Sequence, residues 1–228
     1  MLTGCIFDLD GTLVDTLPTV HYYCNRTLTH FGLGEVTLDQ CRSLCRLSIA
    51  EFYPGLLRYG GCPEDRIEAL REPVRQYDLE GYLQDIHYLT KPYPGIEDTL
   101  RRLRAAGVVT AALTNKPAPL AESLLTSLFP GLLDAIAGQT PDSISKPDPR
   151  SLTNLLDRLG LKVDQALYVG DTDVDMRTAQ NAGAAACAVT WGYQTREELQ
   201  AFHPDYIVDT PETLCSIFQL NKEEAPHV

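Results

Sequence analysis

Carboxylates cluster at two places in this 228-residue chain, each directly after a short apolar run. The first cluster reads Ile-Phe-Asp8-Leu-Asp10-Gly-Thr12, and the second, about 160 residues later, reads Tyr-Val-Gly-Asp171-Thr-Asp-Val-Asp175. Several carboxylates aimed at one point repel one another and raise each other's pKa, unless a cation such as Mg²⁺ binds between them. If the fold brings the two clusters together, they therefore favour a metal site.

The first cluster offers two carboxylates, Asp8 and Asp10, separated by one residue. On a regular strand both side chains would share a face, whereas a bend beginning at Gly11 would aim them differently. Beside a metal ion, one carboxylate could act as an ionised nucleophile while the other exchanges a proton with the leaving group. By itself a D-x-D-G sequence is more often a turn or a calcium-type loop, so the chemical interpretation depends on the other motifs.

Two further motifs carry polar groups suited to holding a phosphoryl group. In Leu-Thr114-Asn115-Lys, a hydroxyl and an amide follow an apolar run, although Thr-Asn could equally begin a turn or cap a helix. Lys146 lies in Ser-Lys-Pro-Asp-Pro, before a predicted helix. A lone lysine is usually a solvated surface charge, but an acidic cluster needs a counter-charge, and we therefore expect Lys146 to supply it.

The elements around these motifs predict an α/β fold. Residues 2–7 and 166–169 have the length and composition of buried strands. From residue 91 onward helices and strands alternate, which is typical of a parallel sheet with crossover helices. We expect strands at 108–113, 134–137, 184–189 and 206–208, and helices at 96–106, 120–128, 150–159, 174–182, near Glu197 and from Pro211. The carboxyl ends of such strands line the ligand crevice, so distant motifs can converge there.

Residues 15–91 show a different pattern, with helical periodicity at 17–31, at 37–47 after a Thr37 N-cap, and from Pro63 to about residue 77. Pro73 is expected to kink or break the last of these helices. We therefore expect a doubly wound parallel sheet, a Rossmann-like core, with a small helical cap domain inserted after the first strand. The predicted domains are a core at 1–14 and 92–220, a cap at 15–91 and a polar, frayed tail at 221–228.

The composition excludes several classes of protein. No apolar run approaches the roughly 18 residues of a membrane span, and Asp8 and Asp10 interrupt the apolar N-terminus, so we expect neither a membrane protein nor a signal peptide. The net charge of −12 disfavours nucleic acid and anionic membranes as partners. Seven cysteines at scattered positions are typical of reduced thiols, and we expect a cytoplasmic protein.

Taken together, the motifs resemble those of the haloacid dehalogenase superfamily of phosphohydrolases. Four motifs occur in that family's order, and at its spacing they are highly specific as a set. The resemblance spans roughly residues 2–218. The motifs are Asp8-Leu-Asp10-Gly-Thr12, Leu113-Thr114-Asn115, Lys146-Pro147 and Gly170-Asp171-Thr-Asp-Val-Asp175.

The resemblance implies a catalytic role for each matching position. Asp8 would attack phosphorus to give an aspartyl-phosphate, and Asp10 would act as acid and then as base. Thr114 and Lys146 would hold the phosphate and balance the charge on Asp8. The neighbouring polar side chains are candidate substrate contacts, namely Thr12 and Asn115.

The resemblance also implies a Mg²⁺ cofactor. Its ligands would be Asp8, the backbone carbonyl of Asp10 and Asp171, with Asp175 a further ligand or one acting through water. The helical insertion would be a cap that closes over the core and excludes water.

Individual residues separate the branches of the superfamily. Dehalogenases lack the second aspartate of the first motif and phosphonate hydrolases replace it with Ala, so Asp10 argues against both. Sugar phosphomutases typically have Glu before Asp171, so Gly170 favours simple hydrolysis. The phrases Phe-Asp-Leu-Asp-Gly-Thr-Leu-Val-Asp-Thr, Leu-Thr-Asn-Lys-Pro, Ser-Lys-Pro-Asp-Pro and Thr-Trp-Gly-Tyr look most like phosphoglycolate phosphatases.

We therefore expect a Mg²⁺-dependent phosphomonoester hydrolase that acts on a small phosphorylated metabolite such as 2-phosphoglycolate, as a monomer or weak dimer. The alternative is a sugar-phosphate phosphatase or phosphomutase of the same superfamily. A non-catalytic binding module would show degraded motifs, and the intact motifs of this chain argue against it. Substrate choice is expected to reside in the cap. Arg46 is the candidate substrate contact there, with Arg42 and Arg58 as alternatives.

Overall fold

The computed structural model describes residues 1–220, except for the side chain of residue 49; the predicted frayed tail at 221–228 lies outside the described residues. Short strands alternate with helices along most of this length. The strands are β1 (Gly4–Phe7), β2 (Val14–Asp15), β3 (Lys91–Pro92), β4 (Val109–Pro117), β5 (Ala135–Gln139), β6 (Ala166–Gly170), β7 (Ala185–Val189) and β8 (Tyr206–Val208).

Ten α-helices connect and cover these strands within residues 1–220, and a single 3₁₀ turn at Val163–Gln165 precedes β6. The helices are α1 (Leu17–His30), α2 (Leu38–Leu44), α3 (Ile49–Tyr59), α4 (Glu64–Gln84), α5 (Ile96–Ala105), α6 (Ala118–Leu128), α7 (Pro149–Leu159), α8 (Asp173–Ala182), α9 (Arg196–Gln200) and α10 (Pro211–Ile217).

Six strands form one parallel sheet in the order β5-β4-β1-β6-β7-β8. From β1 the chain winds outward through β4 and β5, then returns to the other side of β1 and winds outward through β6, β7 and β8. This reversal beside β1 is a topological switch point, where ligands of open α/β sheets bind at the carboxyl ends of the strands. The predicted doubly wound, Rossmann-like fold is confirmed.

Helices cover both faces of the sheet because alternate residues of each strand point to opposite faces. Cys5 and Phe7 of β1 pack in one apolar cluster with α5, α6 and α10, whereas Ile6 packs in a second cluster with α7, α8 and α9. Every strand residue of β1 is buried, as expected for a central strand covered on both sides.

The helices α1 to α4 form a helical segment that the chain enters and leaves at one place. There β2 and β3 pair as a two-residue antiparallel ladder, with Val14 opposite Pro92 and Asp15 opposite Lys91. Thr37 caps α2 as predicted, in a capping box with Gln40, although α2 ends at Leu44 rather than at residue 47. The helix α3 was not predicted, because Pro54 and Gly55 interrupt its pattern.

Pro73, which was expected to kink or break its helix, does not break it, since α4 runs from Glu64 to Gln84. Proline removes one backbone donor from a helix, and the carbonyl it leaves without a helical partner is that of Ala69, four residues earlier. Both Pro73 and Ala69 are exposed, so water can bind this carbonyl. The helix therefore tolerates the proline on its solvent side.

Strand β4 extends beyond its predicted end at residue 113. It continues to Pro117 with a register shift against β5 after Leu113, so Thr114, Asn115 and Lys116 lie on the last residues of a strand. Within residues 1–220, no helix combines the length and apolar character required to cross a bilayer.

Candidate active site

The two acidic clusters meet at the carboxyl edge of the sheet, as predicted. Asp8 directly follows β1 and Asp171 directly follows β6, and these two strands are neighbours. One carboxylate oxygen from each of Asp8, Asp171 and Asp175 lies within 4.8 Å of the others, and all three residues are buried. A compact group of three carboxylates therefore occupies the switch point of the fold.

Asp8 lies against a buried lysine. Its Oδ1 is 2.8 Å from Nζ of Lys146, and its backbone N–H donates to the carbonyl of Val169. Burial is the main reason that the pKa of Asp8 is raised to about 7. The charge of Lys146 opposes this rise, and the charges of Asp175 and Asp10 add to it. The Lys146 ammonium therefore compensates the charge of the Asp8 carboxylate only in part.

Asp171 is fully buried and accepts two hydrogen bonds. Thr12 Oγ1 donates to its Oδ1 at 2.8 Å, and the backbone N–H of Tyr193 donates to its Oδ2 at 2.7 Å. Burial and the nearby charges of Asp175 and Asp8 raise the pKa of Asp171 well above its usual range. Gly11, at φ +86°, leaves room for this carboxylate, since a Cβ there would lie 2.2 Å from Asp171 Oδ2.

The side chain of Lys146 bridges two carboxylates, and Asn115 binds its backbone. Its Nζ lies 2.7 Å from Asp175 Oδ1 as well as 2.8 Å from Asp8. Asn115 accepts from the backbone N–H of Lys146 at 2.9 Å and donates to its carbonyl at 3.2 Å. Burial lowers the pKa of Lys146, but Asp175 and Asp8 raise it further, so the pKa lies well above its usual range and the amine stays charged.

Asp175 already binds protein groups with both oxygens. Its Oδ1 accepts from Lys146 and from the Tyr168 hydroxyl at 3.3 Å. Its Oδ2 accepts from the backbone N–H and the hydroxyl of Thr172. Gly170 permits this close packing, because a Cβ there would lie 2.3 Å from Asp175 Cβ.

The Asp10 carboxylate is bound apart from this group. Thr16 Oγ1 donates to its Oδ1, and Lys116 Nζ donates to the same oxygen at 3.0 Å. Within residues 1–220, the other oxygen, Oδ2, makes no hydrogen bond to a protein group. Burial lowers the pKa of Lys116, but Asp10 and Tyr82 together raise it above its usual range, so Lys116 stays protonated.

Sequence reasoning assigned no role to Lys116 or Thr16. Lys116 was part of a family-like phrase, Leu-Thr-Asn-Lys-Pro, and that phrase was the available signal. Thr16 is likewise the last residue of the family-like phrase Phe-Asp-Leu-Asp-Gly-Thr-Leu-Val-Asp-Thr. Its contact with Asp10 depends on the turn between β1 and α1, which spacing alone does not fix.

A small cavity lies beside Asp8. It is lined by Asp8, Asp10, Arg46, Thr114 and Lys146, among others. Thr114 is buried, and its hydroxyl accepts from the backbone N–H of Lys116 at 3.1 Å. The predicted catalytic residues thus surround one space.

Of the three arginines considered in the helical segment, the structure brings Arg46 into this cavity. Its guanidinium binds Asp173 at the start of α8. Arg42 and Arg58 instead pair with neighbours of their own segment, Asp39 and Glu64.

The donor set fits a hard divalent cation. Asp8, Asp171 and Asp175 offer converging carboxylate oxygens, and burial together with repulsion between neighbouring carboxylates raises the pKa of Asp8 and Asp171. A cation such as Mg²⁺, which prefers oxygen ligands, would relieve that repulsion.

Similar proteins are hydrolases of one family. Residues 5–189 match the haloacid dehalogenase-like hydrolases. A phosphoglycolate phosphatase of Agrobacterium fabrum is 35% identical, over 90% of this chain and 87% of that protein, and one of Vibrio cholerae is 33% identical, over 92% and 94%. A solved haloacid dehalogenase-like family hydrolase of Streptococcus pneumoniae, 25% identical, superposes with a TM-score of 0.82 over 96% of this chain and 99% of that one. The chain therefore belongs to the haloacid dehalogenase-like hydrolase family.

Proposed function

We propose that this enzyme, a phosphatase of the haloacid dehalogenase-like hydrolase family, hydrolyses small phosphomonoesters through a phosphorylated Asp8, with 2-phosphoglycolate as its preferred substrate. One observation carries the proposal. The Asp8 carboxylate lies 2.8 Å from the Lys146 ammonium at the switch point of the sheet, while Asp10 is oriented separately by its own partners. Two carboxylates with different surroundings suit two different roles.

In the first half of the reaction, an oxygen of Asp8 attacks phosphorus, and the bond from phosphorus to the leaving oxygen breaks. Asp10 gives its proton to that oxygen, which leaves as an alcohol. In the second half, Asp10 takes a proton from water, whose oxygen attacks phosphorus and releases phosphate from Asp8. Throughout, Lys146 and Thr114 hold the phosphoryl oxygens and balance the developing negative charge.

The metal would be held by Asp8, Asp171 and the backbone carbonyl of Asp10, with Asp175 a further ligand or one acting through water. When bound, Mg²⁺ would draw negative charge from the phosphoryl oxygens and from the carboxylates around it. We propose that Thr12 and Asn115 serve the substrate indirectly, since Thr12 orients Asp171 and Asn115 holds the backbone of Lys146.

We further propose that the helical segment, residues 15–91, is a cap over a core formed by 1–14 and 92–220, and that Arg46 contacts the substrate from the cap. The named activity of the relatives from Agrobacterium and Vibrio supports 2-phosphoglycolate over a sugar phosphate. A phosphomutase or sugar-phosphate phosphatase of the same fold is the alternative.

The compartment belongs to the same proposal. All seven cysteines are free, six of them buried. Reduced thiols are typical of cytosolic proteins, and we therefore propose that the enzyme is cytoplasmic. We propose separately that it works as a monomer or weak dimer.

The first test is the nucleophile. We expect Asp8→Asn to fold and to lose phosphate release, because the amide keeps the side-chain shape but cannot attack phosphorus. Asp10→Asn is expected to be similarly inactive. The matched control is Asp39→Asn, which changes an exposed aspartate of α2 outside the site. Phosphate release at the wild-type rate by Asp8→Asn would contradict the mechanism.

The second test is the substrate and the metal. A panel of phosphomonoesters, assayed with Mg²⁺ and with EDTA, is expected to show phosphate release that requires the metal and is fastest on 2-phosphoglycolate. Full activity in EDTA would contradict the metal proposal. A higher kcat/KM on hexose phosphates would favour the sugar-phosphate alternative.

A further inference from the structure

A second cavity, of about 70 Å³, opens beside the cavity that contains Asp8. The two share Asp10 and Lys116 in their linings, but Asp8 lines the first and is absent from the lining of the second. In an in-line displacement the nucleophile and the leaving group lie on opposite sides of phosphorus. The proposed acid, Asp10, stands between the two cavities, so the leaving group belongs in the second, which we call the leaving-group cavity.

The leaving-group cavity has mostly apolar walls, formed where the helical segment meets the core. Aromatic rings dominate these walls, and the contributing side chains include Tyr23, Phe52, Tyr53, Tyr82 and Leu120. At roughly 10–15 Å³ of such volume per water molecule, the space holds about five to seven waters. That is room for a two-carbon or three-carbon acid.

Two hydrogen-bond donors in this cavity have unused capacity. The Lys116 ammonium has three N–H groups and makes one hydrogen bond within residues 1–220, to Asp10. It lies 4.8 Å from the centre of the Tyr82 ring. Tyr82 is 3% exposed, and its hydroxyl lies near Lys116 and Thr90, which lower the pKa that burial raises. Among the described residues neither of them, nor any other group, is a hydrogen-bond partner of standard length and angle. Buried donors of this kind normally bind an acceptor.

The remaining acid of the cavity is already bound. The Asp78 carboxylate accepts from Thr27 and from Tyr53, each at 3.1 Å. Within residues 1–220, Asp78 accepts no hydrogen bond from Lys116 or Tyr82, and an anionic oxygen of a ligand would accept from both.

On the basis of the proposed function, we infer that the leaving-group cavity selects phosphorylated short hydroxy acids, and that Lys116 and Tyr82 donate hydrogen bonds to the carboxylate of the leaving group. Lys116 adds a positive charge, and Tyr82 adds a donor that contacts no part of the proposed phosphoryl-transfer machinery. The aromatic walls limit the length of the acid.

The test compares two substrates that differ only in the group at issue. One is 2-phosphoglycolate, and the other is 2-hydroxyethyl phosphate, in which a neutral CH₂OH replaces the carboxylate. We expect Tyr82→Phe to lower the ratio of their kcat/KM values by about tenfold to 100-fold, as for loss of one hydrogen bond to a charged group. Lys116→Met is expected to lower the same ratio, and also both individual values, because Asp10 loses a partner.

The control is Tyr22→Phe, the same substitution on a half-exposed tyrosine outside both cavities, which is expected to leave the ratio unchanged. An unchanged ratio in Tyr82→Phe would overturn the inference, as would a fall in the ratio caused by Arg46→Met instead. A wild-type enzyme that releases phosphate from neither substrate would contradict the proposed function as well. Hydrolysis of both substrates with a ratio insensitive to Tyr82 and Lys116 would overturn this inference alone.

Discussion

The carboxylates of Asp8 and Asp171 are buried close together. Their pKa values rise because burial disfavours the charged form and because neighbouring carboxylates, Asp175 among them, repel that charge. Lys146 compensates part of this charge, yet it is shared between Asp8 and Asp175. In the metal-free protein, the site is therefore most stable when these carboxylates carry protons. A bound cation would displace those protons.

We therefore expect Mg²⁺ binding to release protons from these carboxylates. With a pKa of about 7, Asp8 is largely protonated below pH 6 and ionised above pH 8 in the metal-free protein. Since Mg²⁺ binds the ionised form, we expect its affinity to rise as the pH increases through 7. Calorimetric titrations in two buffers of different ionisation enthalpy would measure the released protons. Asp8→Asn is expected to release fewer, and an affinity independent of pH between 6 and 8 would contradict the prediction.

Asn115 illustrates how one side chain can position another. Both of its polar atoms bind the backbone of Lys146, which lies on a loop with no regular hydrogen bonding of its own. We expect Asn115→Ala to lower kcat by at least tenfold. The unfolding free energy is expected to fall by about 1–3 kcal/mol, the usual effect of leaving a buried polar group unpaired. Urea unfolding and steady-state kinetics would measure both. A stability loss with unchanged kcat would make Asn115 structural only.

At the scale of elements, sequence predicted what depends on local pattern. The strands β1 and β6 were predicted because each is a continuous apolar run followed by a carboxylate, and the motif residues at their ends were predicted to converge for that reason. The helix α3 was missed because Pro54 and Gly55 lie inside it. The contacts of Asp10 with Thr16 and Lys116 were missed because they depend on the turn that follows β1 and on the continuation of β4, the neighbour of β1, beyond Leu113. No local pattern encodes either feature.

A buried carboxylate outside the acidic cluster of the site joins three helices of the segment. Asp78 of α4 accepts from Thr27 of α1 and Tyr53 of α3. Burial raises its pKa from 3.8 to about 6, although both hydrogen bonds and Lys116 oppose the rise. The folded protein therefore holds a proton on Asp78 at pH values where the unfolded chain does not.

This difference in proton binding makes the unfolding free energy depend on pH. Between about pH 4 and pH 6 the folded state binds more protons than the unfolded state, so Asp78 makes the unfolding free energy fall as the pH rises. The fall amounts to about 3 kcal/mol, at about 1.4 kcal/mol per pKa unit, and is complete above pH 6. We expect Asp78→Asn to lack it, so that the stability of the variant relative to wild type increases from pH 4 to pH 7. Urea unfolding in EDTA would test this, and a difference constant over that range would contradict it.

At the scale of the whole molecule, the site is built from both parts of the chain. The core supplies Asp8, Lys146 and Asp171, while the helical segment supplies Arg46 and Tyr82. The net charge of −12 repels an anionic substrate at long range, so the cations concentrated at this junction must attract it locally. The segment is joined to the core by two neighbouring crossings, β2 and β3, which pair with each other.

The ion pair between Arg46 and Asp173 spans this junction, and two roles for it can be separated. If Arg46 acts only by binding Asp173, Arg46→Ala and Asp173→Ala should lower kcat/KM equally. We expect instead that Arg46→Ala loses about tenfold to 100-fold and Asp173→Ala less than tenfold, because Arg46 also lines the cavity with Asp8 and would lose a charge-assisted bond to the phosphoryl group. The loss is expected to be similar on 2-phosphoglycolate and 2-hydroxyethyl phosphate, since both carry that group. Equal losses in the two variants, with a double variant no worse, would restrict Arg46 to holding the cap against the core.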